Sequence, residues 1–151
     1  MLKKIKKKNK HIMKTRTMKA KDIERNWHLI DAKDQILGRI STQIAQLLIG
    51  KHKVNYVSYL DCGDNVVVVN TVLIETTGKK GQDKKYYRHS GYPGGLKMET
   101  LSQLRKRKPE EIIKKAVWNM LPKNKLRKGR IARLHLYAGE EHPHKDKFKI
   151  K

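Results

Sequence analysis

The spacing of apolar residues in the first half of the chain predicts a strand followed by a helix. The run WHLIDA at residues 27–32 is typical of a short buried strand. Further along, Ile40, Ile44 and Leu48 are spaced so that they share one face of a helix. Gly50 follows these positions, where a glycine commonly ends a helix.

Two more strands are predicted directly after this helix. The four valines at residues 66–69 favour a strand that is covered on both faces, as in a parallel sheet. Residues 72–77 predict another strand before the glycines at positions 78 and 81. Strand, helix and strand in this order form the βαβ pattern, for which a right-handed crossover is expected.

The second half of the chain predicts two helices and a last strand. Three glycines, one proline and three tyrosines make residues 82–98 typical of a loop. Helices are predicted over residues 98–107 and 109–121, the second with Pro109 in its first turn. Alternation at residues 134–137 predicts the final strand, so we expect one α/β domain without internal repeats.

Charge is concentrated in two parts of the chain. The 151 residues include 37 Lys and Arg against 14 Asp and Glu, a formal net charge of +23. Residues 1–21 contain ten basic residues and no acidic one, and residues 77–135 contain 18 basic and four acidic ones. Residues 27–76, by contrast, are almost neutral. Because like charges at this density repel, the pattern predicts a polyanion as partner.

The sequence offers little support for a membrane protein, a disulfide framework or an enzyme. No run approaches the roughly 20 apolar residues of a membrane span, and Cys62 is the single cysteine. Phosphate-loop motifs are absent, and Asp61 and Asp64 lack further acidic residues for metal-assisted chemistry. Proline separates the two histidines of residues 142–144, which prevents a two-ligand helix face. We therefore expect no catalytic residue, no metal and no cofactor.

Basic runs with interleaved aromatic residues predict an RNA-binding surface. The segment KKYYRH at residues 84–89 combines cations for phosphates with rings that can stack on bases. Residues 105–108 and 123–133 are also strongly basic, and Arg and Lys both suit phosphate contacts. The candidate RNA-binding residues are Lys51, Lys53, Lys79, Lys80, Lys84, Lys85, Tyr86, Arg88, His89, Gly94, Arg105, Lys106, Arg107, Lys108, Lys123, Asn124, Lys125, Arg127, Lys128, Arg130 and Arg133.

Seven short runs occur in an order that one known family shares. They are WHLIDA at 27–32, ILGRIS at 36–41, GKHK at 50–53, GDNVVVVN at 63–70, KKYYRHSGYPGG at 84–95, LYAG at 136–139 and HPH at 142–144. In these runs the chain resembles the ribosomal protein L-thirteen family, in its bacterial or organellar form. Two positions differ from the resemblance: Asn119 and Arg127 stand where the family usually has glycine.

The resemblance implies a fold and a function. The fold is a three-layer α/β/α arrangement on a four-stranded, mostly parallel sheet. The function is that of a structural constituent of the large ribosomal subunit, without catalysis. Such a protein binds large-subunit (23S-type) rRNA, joins early in ribosome assembly and serves translation. Its partners would be that rRNA and neighbouring large-subunit ribosomal proteins, with no membrane and no small-molecule substrate.

The sequence also predicts how the chain is divided. We expect a basic N-terminal arm at residues 1–21 that orders only on RNA, one α/β domain at 22–144 and a basic tail at 145–151. An organellar transit peptide is the alternative interpretation of the arm, and Met13 or Met18 could be the true start. Ribosomes of the bacterial cytoplasm are the expected location, with organellar ribosomes as the other option. A free-standing regulatory RNA-binding protein is the alternative function.

Overall fold

A computed structural model describes residues 18–148 as a mixed α/β fold with a parallel sheet and a separate β-hairpin. In chain order the elements are β1 (Trp27–Asp31), α1 (Leu37–Ile49), β2 (Asn65–Val69), α2 (Lys80–Asp83), β3 (Lys85–His89), β4 (Leu96–Thr100), α3 (Leu101–Arg107), α4 (Pro109–Met120), α5 (Leu126–Ala132) and β5 (Leu134–Leu136). Short 3₁₀ turns lie at Ala20–Asp22, Thr71–Leu73 and Lys145–Phe148.

The parallel sheet has the strand order β1-β2-β5, with β2 at its centre. All four valines at residues 66–69 are buried, which confirms the prediction of a strand covered on both faces. Val66 and Val68 pack into one apolar cluster with side chains of α1, α3 and α4, including Ile44 and Ile113. Each fully buried side chain of this size stabilises the fold by about 1.5–3 kcal/mol, so this cluster holds the helices to the sheet.

Helix α1 confirms the amphipathic pattern of the sequence and ends as predicted at Gly50. This glycine has a φ of 83° and its N–H donates to the carbonyl oxygens of Gln46 and Leu47. A Cβ here would lie 2.6 Å from the carbonyl oxygen of Cys62. The left-handed backbone and the lack of space both require glycine at this position.

The strand predicted at residues 72–77 does not form. Asn70 adopts a left-handed conformation, with a φ of 57°, and the 3₁₀ turn at Thr71–Leu73 redirects the chain. Only one parallel bridge follows, between Glu75 and Ile36. The described residues therefore form a three-stranded parallel sheet; a fourth strand and a helical layer on each face are not confirmed.

The prediction of a loop at residues 82–98 is also wrong, because much of this segment forms the β3-β4 hairpin. The two strands are antiparallel, with Tyr87 opposite Met98. Glycines and a proline are concentrated in the turn between the strands, where the N–H of Ser90 donates to the carbonyl of Gly95. The strands have little buried surface, so their apolar pattern in the sequence is weak.

Helix α3 begins three residues later than predicted, at Leu101. The Thr100 hydroxyl accepts a hydrogen bond from the Gln103 N–H, and the Gln103 side chain accepts one from the Thr100 N–H. This reciprocal capping box satisfies two N–H groups at the helix start. The residues before Thr100 are therefore left for strand β4.

The two ends of the chain are only partly described. Residues 1–17 of the predicted arm and residues 149–151 of the tail lie outside the described residues. Residues 145–148 of the tail form the last 3₁₀ turn, and the Phe148 ring lies edge-on to Trp27 at 6.3 Å. Within residues 18–148, no helix has the length and apolar character needed to cross a membrane.

Candidate RNA-binding surface

Most cations of the predicted surface are exposed lysines. We call them, together with Arg88, the exposed cation set; Arg107 is also exposed, but it is paired with Glu99 and is left out. Its members are Lys51, Lys79, Lys80, Lys84, Lys85, Arg88, Lys106, Lys108, Lys123, Lys125 and Lys128. Helix α2 contacts β4 and α3, and α3 contacts β4, so the cations of residues 79–88 and 106–108 belong to neighbouring elements. The cations near α5 lie in a different part of the fold, because α5 packs against α1, α4 and β5.

A groove of about 830 Å³ opens beside Lys80 of α2 and the two lysines that flank this helix. It runs between the start of α1, residues 76–84, the start of α3 and the end of α4. Its apolar lining includes Leu37, Leu101 and Met120, and its basic lining is Lys79, Lys80 and Lys84. An apolar surface with lysines beside it can accept an unpaired base together with its phosphate.

The tyrosines of the hairpin have different environments. Tyr86 is half-buried, and the Nζ atoms of Lys84 and Lys115 lie 5.5 and 4.9 Å from its ring centroid. Burial raises the pKa of its hydroxyl. Tyr87 and Tyr92 are 62 and 76% exposed, so their rings are the accessible ones. His89 and Gly94 are exposed close to them.

Five of the six predicted arginines contact groups of the protein itself. Arg107 forms two hydrogen bonds to the Glu99 carboxylate, at 3.0 and 2.8 Å, which lowers the pKa of Glu99. Arg105 donates to the carbonyl oxygen of Ile74 at 2.9 Å. Arg127 donates through Nε and Nη2 to the carbonyl oxygen of Trp118 and stacks 4.1 Å from its ring centroid.

The other two arginines converge on Asp61. Arg133 forms a bidentate ion pair with this carboxylate, with N–O distances of 2.5 and 2.6 Å. Arg130 is 1% exposed, and its Nε lies 3.5 Å from Asp61 Oδ1. Burial raises the pKa of Asp61, but the hydrogen bonds and charge of Arg133 and the charge of Arg130 lower it by more. The pKa of Asp61 therefore lies below its ordinary value. RNA binding by these arginines stays a prediction, and the burial of Arg130 does not favour it.

A polar cluster around Asp64 was not predicted from the sequence. Asp64 Oδ2 lies 2.9 Å from His28 Nε2 and 3.0 Å from His52 Nε2. Asp64 Oδ1 accepts from Lys53 Nζ at 2.5 Å and from the Asn26 N–H at 3.0 Å. Lys53, a predicted RNA contact, is therefore paired within the protein. These residues come from three separate segments, so no short spacing in the sequence identifies them.

The pKa of Asp64 reflects two opposing effects. Burial raises it, while the hydrogen bonds from Lys53, the Asn26 N–H and His28 lower it by more, so that it lies below its ordinary value. Asp64 is completely buried, and this number of partners is what keeps a buried carboxylate ionised.

His142 and His144 pack in an aromatic cluster. The His144 ring lies 5.0 Å from Trp27 and 4.6 Å from His135, and the His142 ring lies 5.9 Å from Tyr137. Burial, followed by the neighbouring His144, lowers the pKa of His135. The family-like HPH run thus packs on the face of the sheet that carries Trp27, His135 and Tyr137.

Comparison with known proteins identifies the family of the chain. Residues 25–143 match the family described as "Ribosomal protein L13". The chain is 52% identical over 132 residues to "Large ribosomal subunit protein uL13" of Psychrobacter sp. (strain PRwf-1), covering 87% of this chain and 93% of the relative. It is 50% identical to the proteins of that name from Pelobacter propionicus, over 87% of this chain and 93% of the relative, and from Thermosipho africanus, over 88 and 89%. The chain belongs to the ribosomal protein L13 family, a structural and non-enzymatic family of the large ribosomal subunit.

Proposed function

We propose that this protein binds large-subunit (23S-type) rRNA as a structural component of the ribosome and supports early assembly of the subunit. The observation that carries the proposal is the exposed cation set: eleven basic side chains at the surface of a fold whose core is formed by an almost neutral segment and the helices that follow. A surface of this charge is stabilised when phosphates neutralise it.

The exposed cations are mostly lysines, whereas most of the arginines are held by groups of the protein. This difference supports binding through contacts between lysines and phosphates. The exposed lysines act as point charges that neutralise phosphates and fix the position of the protein on folded RNA. Side chains cannot read the deep major groove of A-form RNA, so specificity comes from the shape of the folded RNA. The accessible rings of Tyr87 and Tyr92 and the groove beside α2 offer places for unpaired bases.

Other partners and the location follow from the same proposal. Neighbouring large-subunit ribosomal proteins would contact surfaces that the rRNA leaves open. The ribosome would be that of the bacterial cytoplasm or of an organelle. Neither a membrane nor a small-molecule substrate has a part in this function.

The proposal is tested by removing charge beside the groove. We expect the triple variant Lys79→Gln, Lys80→Gln, Lys84→Gln to bind 23S-type rRNA about tenfold or more weakly at moderate salt, because three phosphate contacts are lost. A filter-binding titration measures this. The matched control, Lys33→Gln, Lys145→Gln, Lys147→Gln, removes the same charge from exposed positions elsewhere and should change the Kd much less. Equal weakening in both variants would mean that total charge, and not this surface, determines binding.

A second measurement separates the two RNA-binding functions. The structural component should sediment with large subunits and stay with them through a salt wash. A protein that leaves the subunits in that wash, and that binds a messenger RNA instead, would be the regulatory protein of the alternative interpretation.

A further inference from the structure

The groove beside α2 combines three kinds of side chain that together suit a nucleotide. It has an apolar floor, a wall of lysines and one side-chain amide, that of Asn119. An apolar floor suits the flat face of a base, lysines suit a phosphate, and an amide can both donate to and accept from the edge of a base. Building on the rRNA binding proposed above, we propose that this groove takes one unpaired adenine nucleotide of the rRNA and that Asn119 contacts the edge of its base.

The floor of the groove suits the face of an aromatic ring. Leu37 and Leu101, from the starts of α1 and α3, are buried and so form a fixed apolar surface. Met120 is 43% exposed, and its sulfur accepts a hydrogen bond from the Thr42 hydroxyl at 3.7 Å, which holds the thioether beside the groove. Thioether groups make favourable contacts with aromatic rings. A purine, which has the larger ring system, gains more from this floor than a pyrimidine does.

The amide of Asn119 favours adenine over the other bases. Ala116, Asn119 and Met120 are spaced along α4 so that they share one side of the helix, and all three line the groove. An asparagine amide has a donor beside an acceptor, and adenine offers N7 as acceptor beside the N6 amino group as donor. Guanine has two acceptors, N7 and O6, along the same edge. Asparagine therefore forms two hydrogen bonds with adenine.

The lysines of the groove provide the contact for the phosphate. Lys79, Lys80 and Lys84 are exposed and line one wall. Lys80 Nζ donates one hydrogen bond to Thr77 Oγ1, at 3.2 Å, and an ammonium group has three hydrogens, so donors are left for a phosphate oxygen. Asp83 lines the same groove, but three lysines against one carboxylate leave a net positive charge.

The test titrates the full chain with mononucleotides at moderate salt and follows the methyl signals by NMR. We expect AMP to shift the methyl signals of Leu37, Leu101 and Met120, which line the groove. AMP should bind about fivefold more tightly than UMP, because uracil has no exocyclic amino group for the amide oxygen. GMP and CMP should also bind more weakly than AMP, and adenosine more weakly than AMP because it lacks the phosphate.

Two single variants test the role of the amide. Asn119→Ala should lose the roughly fivefold preference for AMP over UMP while its affinity for UMP stays the same. Alanine is the best helix former, so α4 should remain intact, which circular dichroism checks. The matched control is Asn55→Ala, which removes an exposed asparagine from the connection between α1 and β2 and should keep the preference.

The lysine wall is tested with the triple variant Lys79→Gln, Lys80→Gln, Lys84→Gln. This variant should bind AMP no more tightly than adenosine, because the groups that meet the phosphate are gone. Its affinity for adenosine should equal that of the parent chain.

Several results would overturn the adenine site. They are equal binding of AMP and UMP, tighter binding of GMP or CMP, AMP-dependent shifts that fall outside the groove, and a preference for AMP that survives in Asn119→Ala. The titration contains no rRNA, so it is separate from the test of the proposed function. A chain that binds rRNA but takes no AMP in the groove loses only the adenine site. A chain that takes AMP there but binds no rRNA loses the proposed function.

Discussion

Arginine and lysine have different uses at the level of single residues. Arg107, Arg127 and Arg133 each form two hydrogen bonds to an oxygen group of the protein, while the exposed cation set contains one arginine, Arg88. The planar guanidinium suits such bidentate contacts, and lysine is the more strongly hydrated charge. The sequence predicts a basic surface, but it does not predict which cations an acidic residue or a carbonyl oxygen will hold.

Asp61 supports two arginines and should therefore be important for stability. We expect Asp61→Asn to lower the free energy of unfolding by about 3 kcal/mol at pH 7, because the buried Arg130 and Arg133 lose their charged partner. Urea unfolding followed by tryptophan fluorescence measures this. The control Asp146→Asn changes an exposed aspartate and should leave the midpoint almost unchanged. Similar stabilities for the two variants would contradict the assignment.

The same carboxylate predicts a pH dependence. The pKa of Asp61 is lower in the folded chain than its unfolded value of about 3.9, so its stabilising effect is present above that value. It is lost as the pH falls through the folded pKa. Between pH 5 and the onset of acid unfolding, the free energy of unfolding should therefore fall less in Asp61→Asn than in the parent chain. Parallel curves would show that Asp61 has no lowered pKa.

At the scale of elements, amphipathic helices and buried strands were predictable and exposed strands were not. Strand β2 is a run of valines and α1 has a clear apolar face. In both elements the buried positions are apolar residues that can be recognised in the sequence. The hairpin is mostly exposed, so its strands have no apolar pattern. The glycines of its turn also made the whole segment look like a loop in the sequence. The missing strand at 72–77 depends on Asn70, whose left-handed backbone a sequence pattern does not reveal.

The connection from α1 to β2 depends on close contact at a second glycine, Gly63. A Cβ at this position would overlap the carbonyl oxygen of Leu48. We expect Gly63→Ala to lower the free energy of unfolding by about 3 kcal/mol or more, because backbone atoms must move apart. Thermal unfolding measures it.

Gly38 provides the matched control. It lies in α1, and no atom lies within 4 Å of the position that an alanine Cβ would occupy there. Gly38→Ala should therefore stabilise the chain by up to about 1 kcal/mol, because alanine loses less backbone entropy than glycine on entering a helix. If both substitutions have the same effect, the tight approach at Gly63 is not needed for the fold.

At the scale of the whole molecule, charge and core occupy different parts of the chain. The near-neutral residues 27–76 supply β1, α1 and β2, and residues 77–135 add the other two core helices, α3 and α4, and most of the exposed cation set. This division was visible in the sequence. The sequence did not show that α2, the hairpin and α3 are neighbours, because that depends on long-range contacts.

Binding to rRNA should depend steeply on salt. If about eight cations contact phosphates, the logarithm of the association constant should fall with the logarithm of the salt concentration at a slope of about −6 to −7. The triple variant at Lys79, Lys80 and Lys84 should have a slope shallower by about 2–3 units. Binding constants measured at several KCl concentrations give both slopes. An affinity independent of salt would reject phosphate neutralisation as the source of binding.

Arg127 has a consequence for how two helices depend on each other. Its guanidinium covers the Trp118 ring and donates to a carbonyl oxygen in the last turn of α4, a group that a helix cannot satisfy by itself. The end of α4 is therefore completed by a residue of α5. A glycine at position 127 would lack this side chain, so the end of α4 and the start of α5 would unfold independently. In this chain the Arg127 contacts couple the unfolding of these two helix ends.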